Sequence, residues 1–163
     1  MDRTITGFMQ DAQGDWIARL DCAHRVHMRH APPFVERDWV TSAAGRAAHV
    51  GRTLDCIRCA RQEWPDDVVS YKRTPEFSAT TIPAGLLRDH STKRGVWARI
   101  HVLDGTLEYR VPSLDLTTVL DPAHPGTVLP EVLHSVAPRG DVRFFVEFHR
   151  APDGAPDGDP HRT

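Results

Sequence analysis

GDWIARLDCAHRVHMRH, residues 14–30, alternates apolar and polar side chains in its first half and gathers one cysteine and three histidines in its second. An alternation of period two is typical of a β-strand with one buried face. The side chains placed on that face are Trp16, Ala18, Leu20 and Cys22. A shorter apolar segment at residues 5–9 precedes the turn-forming residues 11–15, so the chain is predicted to begin with a β-hairpin.

A second motif, CIRC at residues 56–59, has the Cys-x-x-Cys spacing that directs two sulfurs at one ion. Cys22 and His24 lie two residues apart on the predicted strand, so both face the same way. Four protein ligands close the coordination sphere of Zn²⁺ and leave no position for a substrate. We therefore predict a structural zinc bound by Cys22, His24, Cys56 and Cys59, which stabilises a segment too short for a strong core of its own.

The neighbouring histidines leave an alternative for the fourth ligand. On a continuing strand His27 faces away from Cys22, and His30 lies about 20 Å farther along. A turn after His24 would void this geometry, so His27 or His30 stays an alternative to His24. The cysteines can also form a redox pair or remain as buried free thiols.

Three thiolates and a neutral imidazole around Zn²⁺ carry a net charge of −1. Nearby cations commonly offset such a charge from outside the ligand set. The arginines close enough in sequence are Arg25, Arg52, Arg58 and Arg61.

The chain has 163 residues, a formal net charge of −2 and three cysteines, all before residue 60. The polar start of the chain lacks the apolar stretch of a secretory signal, which predicts a reducing compartment. In such a compartment, cysteines at motif spacing more often bind metal or react than form disulfides. No apolar run approaches the roughly 20 residues that span a bilayer. We expect a cytoplasmic protein without membrane contact and, because no dense basic stripe is present, without a nucleic-acid partner.

The pattern changes at Pro65, where acidic neighbours predict a linker. Before it, TSAAGRAAHVG at residues 41–51 predicts a helix with Thr41 or Ser42 as its N-cap and Gly51 after its last turn. We predict a mainly β protein with these parts: a small zinc-stabilised α+β domain at 1–64, a linker at 65–69, an antiparallel β domain at 70–152 and a disordered tail at 153–163.

Short strand-like segments fill the second domain. Residues 96–103 and 106–111 flank Asp104 and Gly105, a dipeptide typical of two-residue hairpin turns. Regularly spaced short strands with turn signals predict an antiparallel sandwich or barrel. His90 and His134 lie on separate segments of it, and two such histidines can bind a divalent metal in the mouth of a barrel.

YKRTPEFSATTIPAGLLRDHSTKRGVWARIHVLDGTLEY at residues 71–109, with the later PEVLHSV and RFFVEFHR, resembles a cupin-like domain of unknown function. This family is shared by YeaR-type proteins and the N-terminal part of tellurite resistance protein TehB. The most specific piece is the pattern His-x-Thr-Lys-x-Gly-x-Trp at residues 90–97. Residues 1–64, through ITGF, GDWIARLDCAHRVHMRHAPPF and CIRC, resemble a separate, uncharacterised bacterial domain sometimes called pressure-regulated-protein-like.

The cupin resemblance implies a β-barrel with a divalent metal, Zn or Fe, between its two motif regions. His90 and His134 match the family's ligand positions, but Ala98 stands where a glutamate is expected. Glu147 can supply a carboxylate instead, provided that its face of the strand lines the barrel.

For other polar residues of this domain, a position on the outer face or the surface is the alternative to a role in binding. His101 is expected on the outer face of its strand. Thr92, Lys93 and Arg143 can bind a small anionic ligand near the barrel mouth, although each is also an ordinary surface residue.

Three functions compete. The first is a metal-binding cupin protein with a structural zinc domain and a role in bacterial stress, against tellurite, another oxyanion or nitrosative agents by family analogy. The second is a metal-dependent oxygenase acting on a small molecule. The third is an adaptor or regulator whose zinc domain binds a partner or nucleic acid. Cupin-like barrels often dimerise, so the resemblance also implies a homodimer.

Overall fold

The structure, a computed structural model, describes residues 1–29 and 37–152. Its strands are β1 (Asp2–Gln10), β2 (Trp16–Leu20), β3 (Arg25–His27), β4 (Thr53–Asp55), β5 (Val69–Arg73), β6 (Phe77–Ser78), β7 (Trp97–Val111), β8 (Leu116–Leu120), β9 (Gly126–Val128) and β10 (Ser135–Arg150). Its helices are α1 (Asp38–Thr41), α2 (Ala43–His49) and α3 (Ile57–Ala60), with a 3-10 turn at Pro112–Leu114. No helix within the described ranges is long and apolar enough to cross a membrane.

The strands form two antiparallel sheets. The first has the order β3-β2-β1-β4. The second has the order β5-β10-β7-β8, with β6 added beside β10 and β9 beside β7. The prediction of a mainly β chain with antiparallel strands is confirmed.

The predicted hairpin and helix are both present at the start of the chain. β1 pairs with β2 in the register Met9↔Ile17, and Gly14 takes the turn with a φ of 85°. The hydroxyl of Ser42 accepts a hydrogen bond from the Gly45 amide at 3.0 Å, which makes it the N-cap of α2. Gly51 follows α2 with a φ of 88° and ends the helix as predicted.

Each sheet has its own apolar core, and the second half of the chain contributes two residues to the core of the first sheet. The core of the second sheet is built on inward-facing residues of β7 and β10, which include Ile100, Tyr109 and Phe144. The core of the first sheet contains the three cysteines and also two residues from the second half of the chain, Trp97 and Leu129. The two sheets therefore share one continuous packed boundary.

The hairpin predicted at Asp104–Gly105 is wrong. β7 runs through both residues as one strand, where Gly105 pairs with Val142 of β10 and Asp104 pairs with Arg143. A register shift here moves the inward face of β7 from even-numbered to odd-numbered residues, as a β-bulge does. The turn to β8 comes instead at residues 112–115, after which the chain reverses.

Gly105 has a role that a test can isolate. Its φ is 75°, and a Cβ built on it would lie 2.1 Å from the carbonyl oxygen of Asp141. Gly140 has a similar φ of 78° with nothing within 4 Å of such a Cβ. We expect Gly140→Ala to lower the free energy of unfolding by about 1 kcal/mol, and Gly105→Ala to lower it by about 2–3 kcal/mol because the methyl group overpacks the bulge.

Urea unfolding of the two glycine variants beside the wild type checks this expectation. Equal losses in both would show that backbone conformation alone, and not the contact with β10, accounts for Gly105.

The predicted domain limits stay a prediction. Pro65, placed in the linker, is fully buried, and β5 begins at Val69 inside the proposed linker range. His30 and the tail at 153–163 lie outside the described residues.

Candidate metal centres

A turn, not a strand, brings Cys22 and His24 together. β2 ends at Leu20, and the Leu20 amide donates to the His24 carbonyl oxygen at 3.0 Å, which closes the chain on itself. Ala23 takes the left-handed conformation with a φ of 66° between the two ligands. The shared direction of Cys22 and His24 was therefore expected for the wrong geometric reason.

The other two cysteines lie at the start of α3. Cys56 is the N-cap residue of this one-turn helix, and Cys59 lies within it. A helical turn brings residues three apart to the same face. Both side chains are buried against the Cys22–His24 turn.

The four ligand atoms lie within 4.8 Å of one another, and all four residues are buried. The His24 Nδ1 atom is 3.5 Å from Cys22 Sγ, 3.3 Å from Cys56 Sγ and 3.5 Å from Cys59 Sγ. Cys22 Sγ is 3.9 Å from Cys56 Sγ. A tetrahedron with the usual zinc bond lengths has S···N edges of about 3.5 Å and S···S edges of about 3.8 Å, so the arrangement can hold a metal ion.

The thiols influence one another strongly. Hydrogen bonds from Cys22 and Cys59 hold the pKa of the Cys56 thiol far below its usual range. The pKa of the Cys59 thiol is about 11, because hydrogen bonding to Cys22 and the charge of Arg3 lower it less than Cys56 and burial raise it. One thiolate shared among three sulfurs is a good starting point for binding a cation.

Groups around the cluster orient its members. The His24 Nε2–H donates to the Glu63 carbonyl oxygen at 3.0 Å, which leaves Nδ1 free to face the sulfurs. The indole Nε1–H of Trp97 donates to the Cys22 carbonyl oxygen at 2.8 Å, and the Trp97 ring packs edge-on against His24 at 5.4 Å. Trp97 belongs to the second sheet, so both halves of the chain build this site.

The cation near the cluster is Arg3, which sequence proximity did not identify. Its guanidinium is buried and donates to the Pro130 carbonyl oxygen at 2.9 Å. The four expected arginines are engaged elsewhere. Arg25 pairs with Asp67, Arg58 and Arg61 contact Glu63, and Arg52 donates to the Ala48 carbonyl oxygen. Arg3 shares a face of β1 with Ile5, the other buried residue of that strand, and this period-two spacing was the sequence signal for Arg3.

The alternative ligands have different surroundings. His27 is 59% exposed and lies 3.7 Å from Asp11. His24 therefore faces the sulfurs and His27 does not, while His30 is outside the described residues.

His90 and His134 lie side by side, 4.2 Å apart between ring centroids. Their backbones exchange two hydrogen bonds, of 3.0 and 2.8 Å, which holds the rings in register. Each Nδ1–H donates to a carbonyl oxygen two residues earlier, Arg88 for one ring and Val132 for the other. This tautomer leaves both Nε2 lone pairs available as ligands.

Burial lowers the pKa of His134 to about 4, so its ring is neutral at pH 7. A neutral imidazole is the form that binds metal.

Glu147 does not join this pair. Val146, next to it on β10, faces the core, so Glu147 points to the other side of the sheet. There its carboxylate accepts from Ser70 at 2.8 Å and lies 3.2 Å from His101 Nε2 and 3.3 Å from His149 Nε2. The structure thus separates Glu147 from the residues with which the sequence grouped it, and places His101 on the outer face as expected.

The residues expected to bind an anion also separate. The Thr92 hydroxyl donates to the Val96 carbonyl oxygen at 2.6 Å and is engaged. Arg143 lies 3.5 Å from Glu76 and does not line the cleft that contains His90 and His134. Lys93 does line that cleft.

Two family models match the chain. Residues 6–63 match the family described as a protein of unknown function (DUF3565), and residues 72–146 match the TehB-like domain. No curated protein sequence matches the chain.

Solved structures are similar to the second half. The crystal structure of a protein from E. coli (strain K12) is 25% identical, with a TM-score of 0.52 over 56% of this chain and 98% of that one. TehB from Haemophilus influenzae is 24% identical, with a TM-score of 0.49 over 53% of this chain and 32% of that one. The chain spans about a third of the length of that TehB.

The expected resemblance is confirmed in both halves of the chain. Cys22, His24, Cys56 and Cys59 fall inside the first matched region, and His90 and His134 fall inside the second. The chain therefore matches the DUF3565 model in its N-terminal part, at residues 6–63, and the TehB-like model in its C-terminal part, at residues 72–146.

Proposed function

We propose that the chain is a zinc-stabilised metal-binding protein whose TehB-like half is a cupin-type barrel. In this proposal the Cys₃His cluster binds a structural Zn²⁺, and His90 with His134 binds a second divalent ion, Zn or Fe. The observation that carries the first part is the buried tetrahedral set of ligand atoms.

Zinc fits the first site because of the donor set. Three thiolates and one imidazole at these separations suit Zn²⁺, and soft sulfur ligands disfavour Mg²⁺ and Ca²⁺. The four residues fill all four tetrahedral positions, so the ion supplies structure and no open position for a reaction.

The antiparallel pairing of the second sheet, the bulge in β7 and the apolar interior support the cupin-type barrel. Its inward face carries the core described above, and the two histidines lie beside that core. Two imidazoles with open positions around an ion are compatible with binding a small molecule and with oxygenase chemistry. The binding role is preferred, because no third ligating side chain joins the pair among the described residues.

The biological setting rests on the family and on the thiols. A role in stress caused by tellurite, another oxyanion or nitrosative agents follows from the TehB-like family alone, and a fold by itself does not determine function. Three unpaired cysteines support a location in the reducing cytoplasm.

Metal analysis tests the proposal. We expect two metals per chain in protein equilibrated with excess Zn²⁺, one in Cys56→Ala/Cys59→Ala and one in His90→Ala/His134→Ala. Unchanged metal content in the cysteine variant would contradict the zinc site, and unchanged content in the histidine variant would contradict the cupin-type site. The matched control His101→Ala/His124→Ala removes two histidines that lie outside both sites and should keep both metals.

A further inference from the structure

A basic cleft opens beside the paired histidines. Besides His90 and His134, it is lined by six cationic side chains from both halves of the chain: Arg19, Arg25, Lys72, Lys93, Arg94 and Arg150. Only two carboxylates, Asp21 and Asp67, share this lining. The cleft is therefore strongly positive, although the whole chain has a formal net charge of −2.

Two of the six cations are neutralised within the cleft. Arg25 pairs with Asp67, and Arg94 lies 3.2 Å from an Asp21 carboxylate oxygen. The remaining four form no ion pair with a carboxylate in the part of the chain that the structure describes; they are Arg19, Lys72, Lys93 and Arg150. A concave surface with unpaired charges of one sign concentrates its potential and attracts ions of the opposite sign.

The paired histidines differ from the cationic side chains of the cleft, because they offer lone pairs and not positive charge. Their Nδ1–H groups are occupied by backbone carbonyl oxygens, so the two Nε2 atoms are lone-pair acceptors. Two such acceptors repel an anion that approaches them directly. A divalent cation between them reverses this, because it accepts both lone pairs and still has open positions for an anionic oxygen.

Because the protein offers only two ligands at this site, binding of the metal ion and binding of an anion depend on each other. Among the described residues, the only cluster of three or more ligating side chains is the Cys₃His set, so the His90–His134 pair has no third partner. A metal held by two neutral imidazoles keeps its full charge of +2 inside a cleft that is already positive. An anion that binds to the metal supplies the missing ligand and offsets both charges.

We propose that the cleft binds a small oxyanion as a ligand of the metal at His90 and His134, so that metal and anion bind cooperatively. This inference rests on the metal site of the proposed function. Binding coupling is reciprocal, so the anion raises the affinity for metal by the same factor as the metal raises the affinity for the anion.

Cobalt binding to the full chain loaded with one zinc per chain, which fills the Cys₃His cluster and leaves the histidine pair free, tests the inference. Inorganic phosphate is the anion probe, and chloride at equal ionic strength is the reference. Co²⁺ is followed by its visible d–d absorption, and thiolate charge-transfer bands would report any exchange at the cysteines. We expect phosphate to lower the Co²⁺ concentration at half-saturation by about tenfold, within the usual range for coupled sites. An unchanged midpoint in chloride and phosphate would overturn the inference.

Two variant pairs separate the contributions. Lys72→Gln/Lys93→Gln removes two unpaired cations of the cleft and should reduce the phosphate effect severalfold while leaving Co²⁺ binding in chloride no weaker. Arg110→Gln/Arg139→Gln removes the same charge outside the cleft and should keep the full effect. Equal phosphate effects in the two variants would assign the coupling to net charge and contradict a role for the cleft.

If the His90–His134 metal site itself does not exist, the experiment gives a result different from a mere absence of anion coupling. His90→Asn changes a half-buried ring and should fold, whereas His134 is buried. Loss of the d–d absorption in His90→Asn supports the site. If the wild type takes up no Co²⁺ beyond its zinc in either buffer, the proposed histidine site is wrong, and the inference falls with it.

Discussion

Removing the metal from the Cys₃His cluster is expected to unfold the N-terminal sheet. The cysteines lie at the centre of its core, and α3 is one turn long, too short to hold its shape alone. Binding of a structural zinc is worth about 10–16 kcal/mol in small zinc domains, which matches or exceeds the stability of a typical domain. Cys56→Ser/Cys59→Ser should therefore lose amide protection in β1 and β2, measured by hydrogen exchange.

Chelation of the wild type gives the matched experiment. A strong chelator should produce the same loss of protection, and added Zn²⁺ should restore it in the wild type and not in the double variant. His27→Ala alters an exposed histidine of the same segment and should keep full protection. A metal-free wild type with protected β1 and β2 amides would show that apolar packing alone holds this sheet.

Replacing Trp97 is expected to have the second largest effect. Its side chain is completely buried, packs against His24 and Trp64, and donates to the Cys22 carbonyl oxygen. Trp97→Ala should lower the free energy of unfolding by about 3–5 kcal/mol, as for other large-to-small core changes. Because this ring packs against His24 and holds the Cys22 carbonyl oxygen, we also expect faster release of zinc to a chelator.

Trp97→Phe separates the hydrogen bond from the packing. The phenyl ring keeps contact with His24 but leaves the buried Cys22 carbonyl oxygen without its donor, at a cost of about 1–3 kcal/mol. Urea unfolding and the rate of zinc release measure both variants. Release at the wild-type rate from Trp97→Ala would mean that the second sheet does not support the zinc site.

Local patterns predicted the elements that depend on neighbours in the sequence. The alternation in residues 16–22 predicted the buried face of β2, and Ser42 with Gly51 predicted the ends of α2. The Cys-x-x-Cys spacing predicted that Cys56 and Cys59 face one point, as they do in α3. Cys22 and His24 were also predicted to share a direction, but a turn at Ala23 and not a strand brings them together. The hairpin at Asp104–Gly105 failed because pairing with β10 along its length outweighs the local preference of one dipeptide.

By itself, then, the sequence determined the first hairpin, the ends of α2 and which four Cys and His side chains cluster, since these follow from periods and spacings of a few residues. Only the tertiary structure decided which groups surround them. Arg3 of β1 and Trp97 of β7 lie beside the Cys₃His cluster. Glu147 points away from His134 because the inward face of β10 carries Val146 instead. Contacts of this kind depend on sheet register and on which face is buried, and both are set by pairing between strands far apart in the chain.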